Sequence, residues 1–206
     1  MYTRRYTQTT KHEFMKNIKS ILGLILCILV SGCAVTNLST YQTVGNGKIC
    51  NGKKLGKVAV LPEAAWRSDQ KEPKTRERMA MDEIKKSFQT FPCGSISSTQ
   101  GIREFSNWSS KPESELLAQF LSEGIDTIIM VRVEELTPRI HVTFSLPFLW
   151  SGSSEADFRL RILSTRTGTV LNDMRVKRLT GGPFNVRPAE WSRTELNSAL
   201  TEVIGN

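Results

Sequence analysis

Residues 157–177 read DFRLRILSTRTGTVLNDMRVK, and this stretch decides the fold. Apolar residues alternate with charged ones on both sides of a central Thr-Gly pair, which is typical of two antiparallel strands that bury one face. Paired residues must lie on the same face, so a two-residue turn, which would set Arg159 opposite Met174, is excluded. A three-residue turn pairs Leu160 with Met174 and places Gly168 in the left-handed conformation that such turns require.

The outward face of this hairpin is charged, and the same register pairs opposite charges twice and like charges once. The pairs are Arg161 with Asp173, Asp157 with Lys177, and Arg159 with Arg175. The four basic residues of these pairs share one face. That face is either a binding surface or a solvated face that the two aspartates neutralise in part, and we favour the second interpretation.

The sequence on either side predicts further strands and helices from its apolar periodicity. Strands are predicted at 57–61, 95–99, 127–133 and 139–146; helices are predicted at 74–89, between Pro112 and Gly124, and from Pro188 onward. The apolar side of the last helix is predicted to consist of Trp191, Leu196, Leu200 and Val203. Crossover helices among the early strands and hairpins among the later ones predict a single α+β domain over 57–206. Its sheet is mixed, and its helices, about three, pack largely on one face.

The N-terminal part of the chain carries a short hydrophobic segment. Residues 21–30 (ILGLILCILV) are uncharged, follow Lys16 and Lys19, and precede Ser31, Gly32 and Cys33. Ten residues are too few to span a bilayer, which needs about 20 apolar residues. They have the length of a signal-peptide core.

This arrangement resembles the lipobox of bacterial lipoproteins, carried here by Val30-Ser31-Gly32-Cys33. The resemblance implies cleavage before Cys33 and lipidation of its sulfur and of its new amino group. In that class an aspartate after the cysteine marks retention at the inner membrane, so Ala34 implies the outer membrane, with the domain facing the periplasm. Residues 1–32 are therefore the predicted signal peptide, with Met15 as the predicted true start.

The basic character of the chain is concentrated at this end. Of a net charge of +8, residues 1–32 contribute five basic and one acidic residue, and residues 33–57 contribute four lysines. The remaining residues are neutral overall, which removes the argument for a nucleic-acid partner. Residues 33–56 are rich in Gly, Asn, Ser and Thr and are predicted to be a flexible tether. Its lysines either touch acidic lipid head groups or are simply solvated, and we favour the second.

The cysteines can be assigned one by one. Cys27 lies in the signal peptide and Cys33 in the lipobox, which leaves Cys50 and Cys93. An even pair in an oxidising compartment predicts a disulfide, the alternative being two free thiols. Two cysteines without a nearby histidine cannot complete a zinc site, so no metal and no cofactor is predicted.

A second resemblance rests on the order of three motifs. These are the strand 57–62 (KVAVLP), Gly124-Ile125-Asp126 followed by a β-branched strand, and the strand-turn-strand around Thr167-Gly168-Thr169. Their order resembles that of periplasmic lipoprotein domains of the curli-secretion and penicillin-binding-protein-activator type, related to the N-terminal domain of the translocation protein TolB. The resemblance implies an envelope lipoprotein that works by binding another protein. No long alternating amphipathic hairpin resembling a pore-forming insertion is evident in the sequence, so pore formation is not implied.

Candidate residues for chemistry are few. The chain contains no nucleophile elbow, zinc-protease motif or phosphate-binding loop, and His141 is its one histidine after Cys33. Glu134 and Glu135 would point to opposite faces of a strand and cannot share a site. No catalytic residue is therefore predicted.

The candidate binding residues are Phe148, Leu149 and Trp150, which form an apolar cluster beside Pro147 and a Ser/Gly turn. If these three side chains are exposed, they would contact a protein partner. The alternative is that they are buried beneath the sheet. The function predicted is a non-catalytic, membrane-anchored lipoprotein whose domain binds a partner in envelope assembly or secretion. A carrier or sensor of a small apolar or lipid ligand and, less favoured, a cell-wall-active enzyme are the alternatives.

Overall fold

The computed structural model describes residues 35–45, 47–50, 52–68, 70–96, 101–142, 150–183 and 190–205. The predicted signal peptide, Cys33, the residues Phe148 and Leu149 and the predicted helix start at Pro188 lie outside this described part. So does the side chain of Trp150, whose backbone begins a strand.

Six strands and three α-helices form the described part. The strands are β1 (Val35–Val44), β2 (Lys57–Ala64), β3 (Ser95–Ile96), β4 (Thr127–Val142), β5 (Trp150–Ser164) and β6 (Val170–Pro183), and the helices are α1 (Pro73–Phe88), α2 (Glu113–Ser122) and α3 (Glu190–Ile204). The strand order is β1-β6-β5-β4-β2-β3, in which β2 runs parallel to β3 and β4 and the other pairs are antiparallel. The predicted α+β domain with a mixed sheet is confirmed.

Two helices cover one face of the sheet and one helix covers the other. α1 buries Ala80, Ile84 and Phe88, and α3 buries Leu196, Leu200 and Val203, against the main core on the first face. α2 packs with Leu116 and Phe120 on Leu61, Ile128 and Leu163 of the second face. The described residues therefore cover the second face only in part.

The predicted apolar side of the last helix needs one correction. Trp191 is 45% exposed, whereas the other three predicted residues are buried. Five residues separate it from Leu196, which turns its side chain about 140° away from the buried side.

The hairpin register is confirmed at every predicted pair, from Asp157 opposite Lys177 to Arg161 opposite Asp173. The turn is longer than predicted, because β5 ends at Ser164 and β6 begins at Val170, with a register shift after Ile162. Leu171 is skipped in the register, and Thr165 donates from its amide and hydroxyl to the Asp126 and Ile125 carbonyls at 3.0 and 2.5 Å. These bonds draw the turn toward the start of β4, and Gly168 keeps its left-handed φ of 67°.

The strands predicted at 127–133 and 139–146 form one strand, β4, up to Val142, and it continues through Pro138. β2 pairs with β4 only as far as Val133, and no strand among the described residues pairs with the later part of β4 on the side opposite β5. A proline is tolerated on such an edge because its missing N–H costs no ladder hydrogen bond.

The structure differs from the predicted tether at 33–56. Residues 35–44 form β1, which pairs antiparallel with β6. The following segment runs along the end of α3, where the amide of Ile49 donates to the Val203 carbonyl at 2.7 Å. Ile49 and Leu55 are both buried in the main core. Backbone pairing and two separated apolar anchors order this segment despite its polar composition.

Asp126 ties the start of β4 to its neighbours. Its carboxylate accepts hydrogen bonds from the backbone N–H of Lys57 at 2.9 Å and from the Arg166 guanidinium at 2.8 and 3.1 Å. The Lys57 N–H, and after it the Arg166 side chain, lower the pKa of this carboxyl.

Asp126→Asn is therefore expected to make folding stability less sensitive to acid. A carboxyl whose pKa is lower in the folded state stabilises the protein above the unfolded value of about 4, and this contribution is lost as the pH falls through the folded value. Urea unfolding at pH 7 should show the variant to be less stable than the wild type, and the difference should shrink at pH 3. An unchanged difference between the two pH values would contradict this role.

Candidate functional site

A row of side chains crosses the second, partly covered face of the sheet. The register aligns Glu63 of β2, Arg132 of β4, Arg159 of β5, Arg175 of β6 and Tyr41 of β1. Register partners point to the same face, so these five side chains are neighbours. We call Arg132, Arg159 and Arg175 the arginine row.

Two members of the arginine row are neutralised by diagonal carboxylates. Arg159 donates from Nε and Nη2 to Asp173 at 2.8 and 2.6 Å, and Arg175 donates in the same way to Asp157 at 2.9 Å for both bonds. These bidentate hydrogen bonds raise the pKa of both guanidinium groups. They also explain how Arg159 can lie directly opposite Arg175.

Further carboxylates complete the pairing of this face. Arg161 binds Glu113 at 2.6 Å, Arg175 also binds Glu134 at 2.7 Å, and Lys177 binds Glu155 at 2.8 Å. The favoured interpretation of a partly neutralised face therefore agrees with the geometry. Of the two opposite-charge pairs predicted across the hairpin, Arg161 and Asp173 form an ion pair at 3.9 Å, whereas Lys177 binds the diagonal Glu155 rather than Asp157.

Arg132 differs from its neighbours in the arginine row. It is exposed and forms no hydrogen bond or ion pair with any residue in the described part of the chain. Glu63 beside it is 4% exposed, and its carboxylate accepts bonds from the Ser109 amide at 3.0 Å and the Ser109 hydroxyl at 2.6 Å. Glu63 thereby fixes the 3-10 turn Trp108–Ser110 over the end of β2.

Arg132 and Glu63 lie at the point where the crossovers of the sheet diverge. α1 follows β2 on the first face, and α2 precedes β4 on the second face, although β2 and β4 are parallel neighbours. In open α/β sheets ligands bind beyond the carboxyl ends of the strands at such a topological switch point. We call the cavity there the switch-point cleft.

The switch-point cleft has a volume of about 330 Å³. Its wall includes Glu63, Trp108, Lys111, Met130, Arg132 and Arg161, and four basic and three acidic side chains line it in all. A neighbouring cavity of about 570 Å³ shares Glu63, Ser109 and Arg132 with it. The Lys111 ammonium lies 5.5 Å from the Trp108 ring centroid, and Trp108 meets Phe120 edge-on at 6.4 Å.

The two edges of the sheet differ. β3 has two residues, and beside it the chain from Gly101 to Ser106 covers β2 through bonds such as the Val60 amide to the Gly101 carbonyl at 2.6 Å. β1 forms the other edge with ten residues, none of them charged. Tyr41 is 66% exposed there, and Val35 and Val44 are exposed as well.

The predicted site residues fall into three groups. Cys50 and Cys93 form the predicted disulfide, with their Cα atoms 5.3 Å apart. Cys33, Phe148 and Leu149 lie outside the described residues, and Trp150 enters only as the backbone partner of Val142, so these assignments stay predictions. Sequence reasoning missed that Glu63 and Arg132 are neighbours on adjacent strands, because this depends on the parallel register of β2 and β4.

The described residues contain no cluster of three potential metal ligands and no helix long and apolar enough to cross a membrane.

Comparison with known proteins finds similarity at the level of structure. The PelC dodecamer from Paraburkholderia phytofirmans is 11% identical, with a TM-score of 0.40 over 82% of this chain and 99% of that chain. Lipoprotein GNA1162 from Neisseria meningitidis is 10% identical, with a TM-score of 0.41 over 74% of this chain and 99% of that chain. A minor lipoprotein from Acinetobacter baumannii is 11% identical, with a TM-score of 0.34 over 72% and 88%.

No protein-family model and no curated protein matches the chain. The chain is thus similar in structure to bacterial lipoproteins, but TM-scores of 0.34 to 0.41 do not bear on its function.

Proposed function

We propose that the protein is a bacterial envelope lipoprotein, anchored by lipids on Cys33 at the periplasmic face of the outer membrane, that acts without catalysis by binding a protein partner. The open edge of β1 is the observation that carries this proposal. The lipobox and the Cys50–Cys93 disulfide support the compartment, since disulfides persist in oxidising surroundings.

The edge of β1 is suited to strand addition. One side of β1 pairs with β6, and no strand in the described part of the chain pairs with the backbone N–H and C=O groups of its other side. Proteins commonly protect such edges with charges, prolines or short strands. β1 has ten residues, no charge and no proline, and its one register irregularity lies at its end, between Gln42 and Val44. An edge left open in this way is the template for β-augmentation, in which an extended peptide adds a strand.

The partner expected at this edge is an extended, uncharged segment of another envelope protein. Main-chain hydrogen bonds to β1 would supply affinity, and side chains beside Val35 and Tyr41, which share the face of the arginine row, would supply specificity. The edge begins two residues after Cys33, so the partner would bind close to the membrane.

The alternative functions gain less support. The two cavities at the arginine row are lined largely by charged and polar side chains, which does not favour a carrier of an apolar ligand. Glu63, Glu113 and Asp173 in the switch-point cleft each accept bonds from neighbouring groups, which favours a structural role for these three carboxylates.

Photocrosslinking in cells tests the proposed edge. A photoreactive residue at Tyr41 is expected to capture one envelope protein, and the double substitution Asn37→Lys with Tyr41→Lys should reduce co-purification of that protein at least tenfold, because charges on an edge oppose strand addition. Thr75→Lys with Gln89→Lys adds the same charge at exposed positions in and just after α1 and should leave co-purification unchanged.

Three outcomes would overturn the assignment. Equal capture from Arg78, which is exposed on α1, would make the contact non-specific. Capture of a second copy of this chain would show that the β1 edge contacts the protein itself and not a different envelope protein. Capture from Trp150 alone would move the contact to the patch predicted at Phe148, Leu149 and Trp150.

A further inference from the structure

We propose that the switch-point cleft binds a phosphate monoester, with the Arg132 guanidinium as the main contact and the Lys111 ammonium as the second. This site is independent of the β1 edge, because the two lie on different strands at different ends of the arginine row.

The charge distribution in the cleft singles out these two cations. Of the four basic side chains that line it, Arg159 is bound by Asp173, and Arg161 is bound by Glu113. Within the described part of the chain, Arg132 and Lys111 have no carboxylate within ion-pair distance. The carboxylate of Glu63 already accepts two bonds from Ser109, which leaves the cleft with an unneutralised positive charge.

The surroundings hold both cations at the cleft. Arg132 projects from the floor formed by β4, whose backbone is paired on both sides at this position, with Glu63 and Arg159. Lys111 follows the 3-10 turn that Glu63 fixes, and its ammonium rests over the Trp108 ring. A cation on a buried strand and a cation on a fixed turn therefore approach one cavity from two walls.

Phosphate fits this pair better than carboxylate does. A guanidinium binds two oxygens of an oxyanion through parallel hydrogen bonds, and an ammonium binds as a point charge. A phosphate monoester has a third terminal oxygen for Lys111 and carries up to two negative charges. A carboxylate has two oxygens in one plane, which the guanidinium alone would occupy.

The phosphate could belong to a soluble molecule or to a lipid head group, and the chemistry at Arg132 is the same in both cases. The cleft volume of about 330 Å³ admits a small organic group attached to the phosphate, against Met130 and the indole of Trp108.

Titration of the mature chain carrying Cys33→Ser tests the site. Glycerol 3-phosphate at constant ionic strength is expected to shift the Trp108 indole N–H signal in NMR spectra in a saturable way. Arg132→Gln should weaken the apparent affinity at least tenfold, and Lys111→Gln should weaken it less. Arg78→Gln removes an exposed arginine of α1 and should leave it unchanged.

Vesicle binding separates the two sources of phosphate. Co-sedimentation with vesicles of phosphatidic acid in phosphatidylcholine, but not of phosphatidylcholine alone, and its loss in Arg132→Gln, would identify a lipid head group. Saturable binding of glycerol 3-phosphate without vesicle binding would identify a soluble phosphate monoester.

The proposal fails if neither probe binds, if chloride at equal ionic strength causes the same shifts, or if Arg132→Gln binds like the wild type. Because Arg132 is exposed, thermal unfolding should show the variant to be as stable as the wild type, which separates loss of binding from loss of folding. A failed Tyr41 crosslink together with normal phosphate binding would overturn the proposed partner edge and leave this site standing.

Discussion

Replacing Cys50 and Cys93 by alanine is expected to lower the free energy of unfolding by about 4 kcal/mol, the value that the chain-entropy model gives for a loop of this length. The bridge spans a sequence separation of 43 residues. It joins the segment after β1, where the amide of Leu55 donates to the Cys93 carbonyl at 2.7 Å, to the turn that follows α1. Without it the unfolded chain gains the freedom that the bridge removes.

Urea unfolding followed by circular dichroism measures this loss, in a chain that also carries Cys33→Ser. The protein that keeps Cys50 and Cys93, treated with a reductant, should unfold at the same urea concentration as the double alanine variant, because both lack the cross-link. An unchanged midpoint in either sample would contradict a stabilising disulfide.

The substitution Cys33→Ser is expected to abolish lipidation and removal of the signal peptide. Two or more acyl chains give stable membrane attachment, whereas one gives only marginal binding, so the lipidated cysteine accounts for the whole proposed anchor. Labelled palmitate should not enter the variant, the longer precursor should accumulate, and the outer-membrane pool should disappear.

Cys27→Ser provides the matched control for this experiment. Cys27 lies in the predicted signal peptide, six residues before Cys33, and should be dispensable for lipidation. A Cys33→Ser protein that is processed and membrane-bound like the wild type would refute the lipobox.

The parts of the fold that could be predicted are those with local rules. The parity of alternating residues was sufficient for the β5–β6 pairs from Asp157–Lys177 to Arg161–Asp173, because one face had to be buried, but not for the turn. α1 and α2 could be predicted from apolar spacing and from their flanking proline and glycine residues. The disulfide followed from the count of cysteines and the expected compartment.

The parts that could not be predicted depend on partners far away in the chain. β1 has few apolar residues and no clear alternation, and it is a strand because β6, more than a hundred residues later, offers it an edge. The arginine row likewise requires the registers of two strand pairs at once, and its continuation to Glu63 and Tyr41 requires two more. Arg132 can be noticed in the sequence, but nothing local shows that it has no carboxylate partner while Arg159 and Arg175 each have one.

The position of the disulfide has a mechanical consequence for a domain held at Cys33. With the proposed anchor at Cys33, a pull between membrane and domain would pass through β1, whose pairs with β6 from Val35–Gly181 to Val44–Asp173 share a load applied along the strand. Should β1 peel away, the freed chain from Cys33 to Cys50 could extend to roughly 60 Å, at about 3.5 Å per residue. The covalent bond to Cys93 stops the extension there, so under the proposed anchoring at Cys33 the position of Cys50 sets the greatest distance from the membrane that the folded domain can reach.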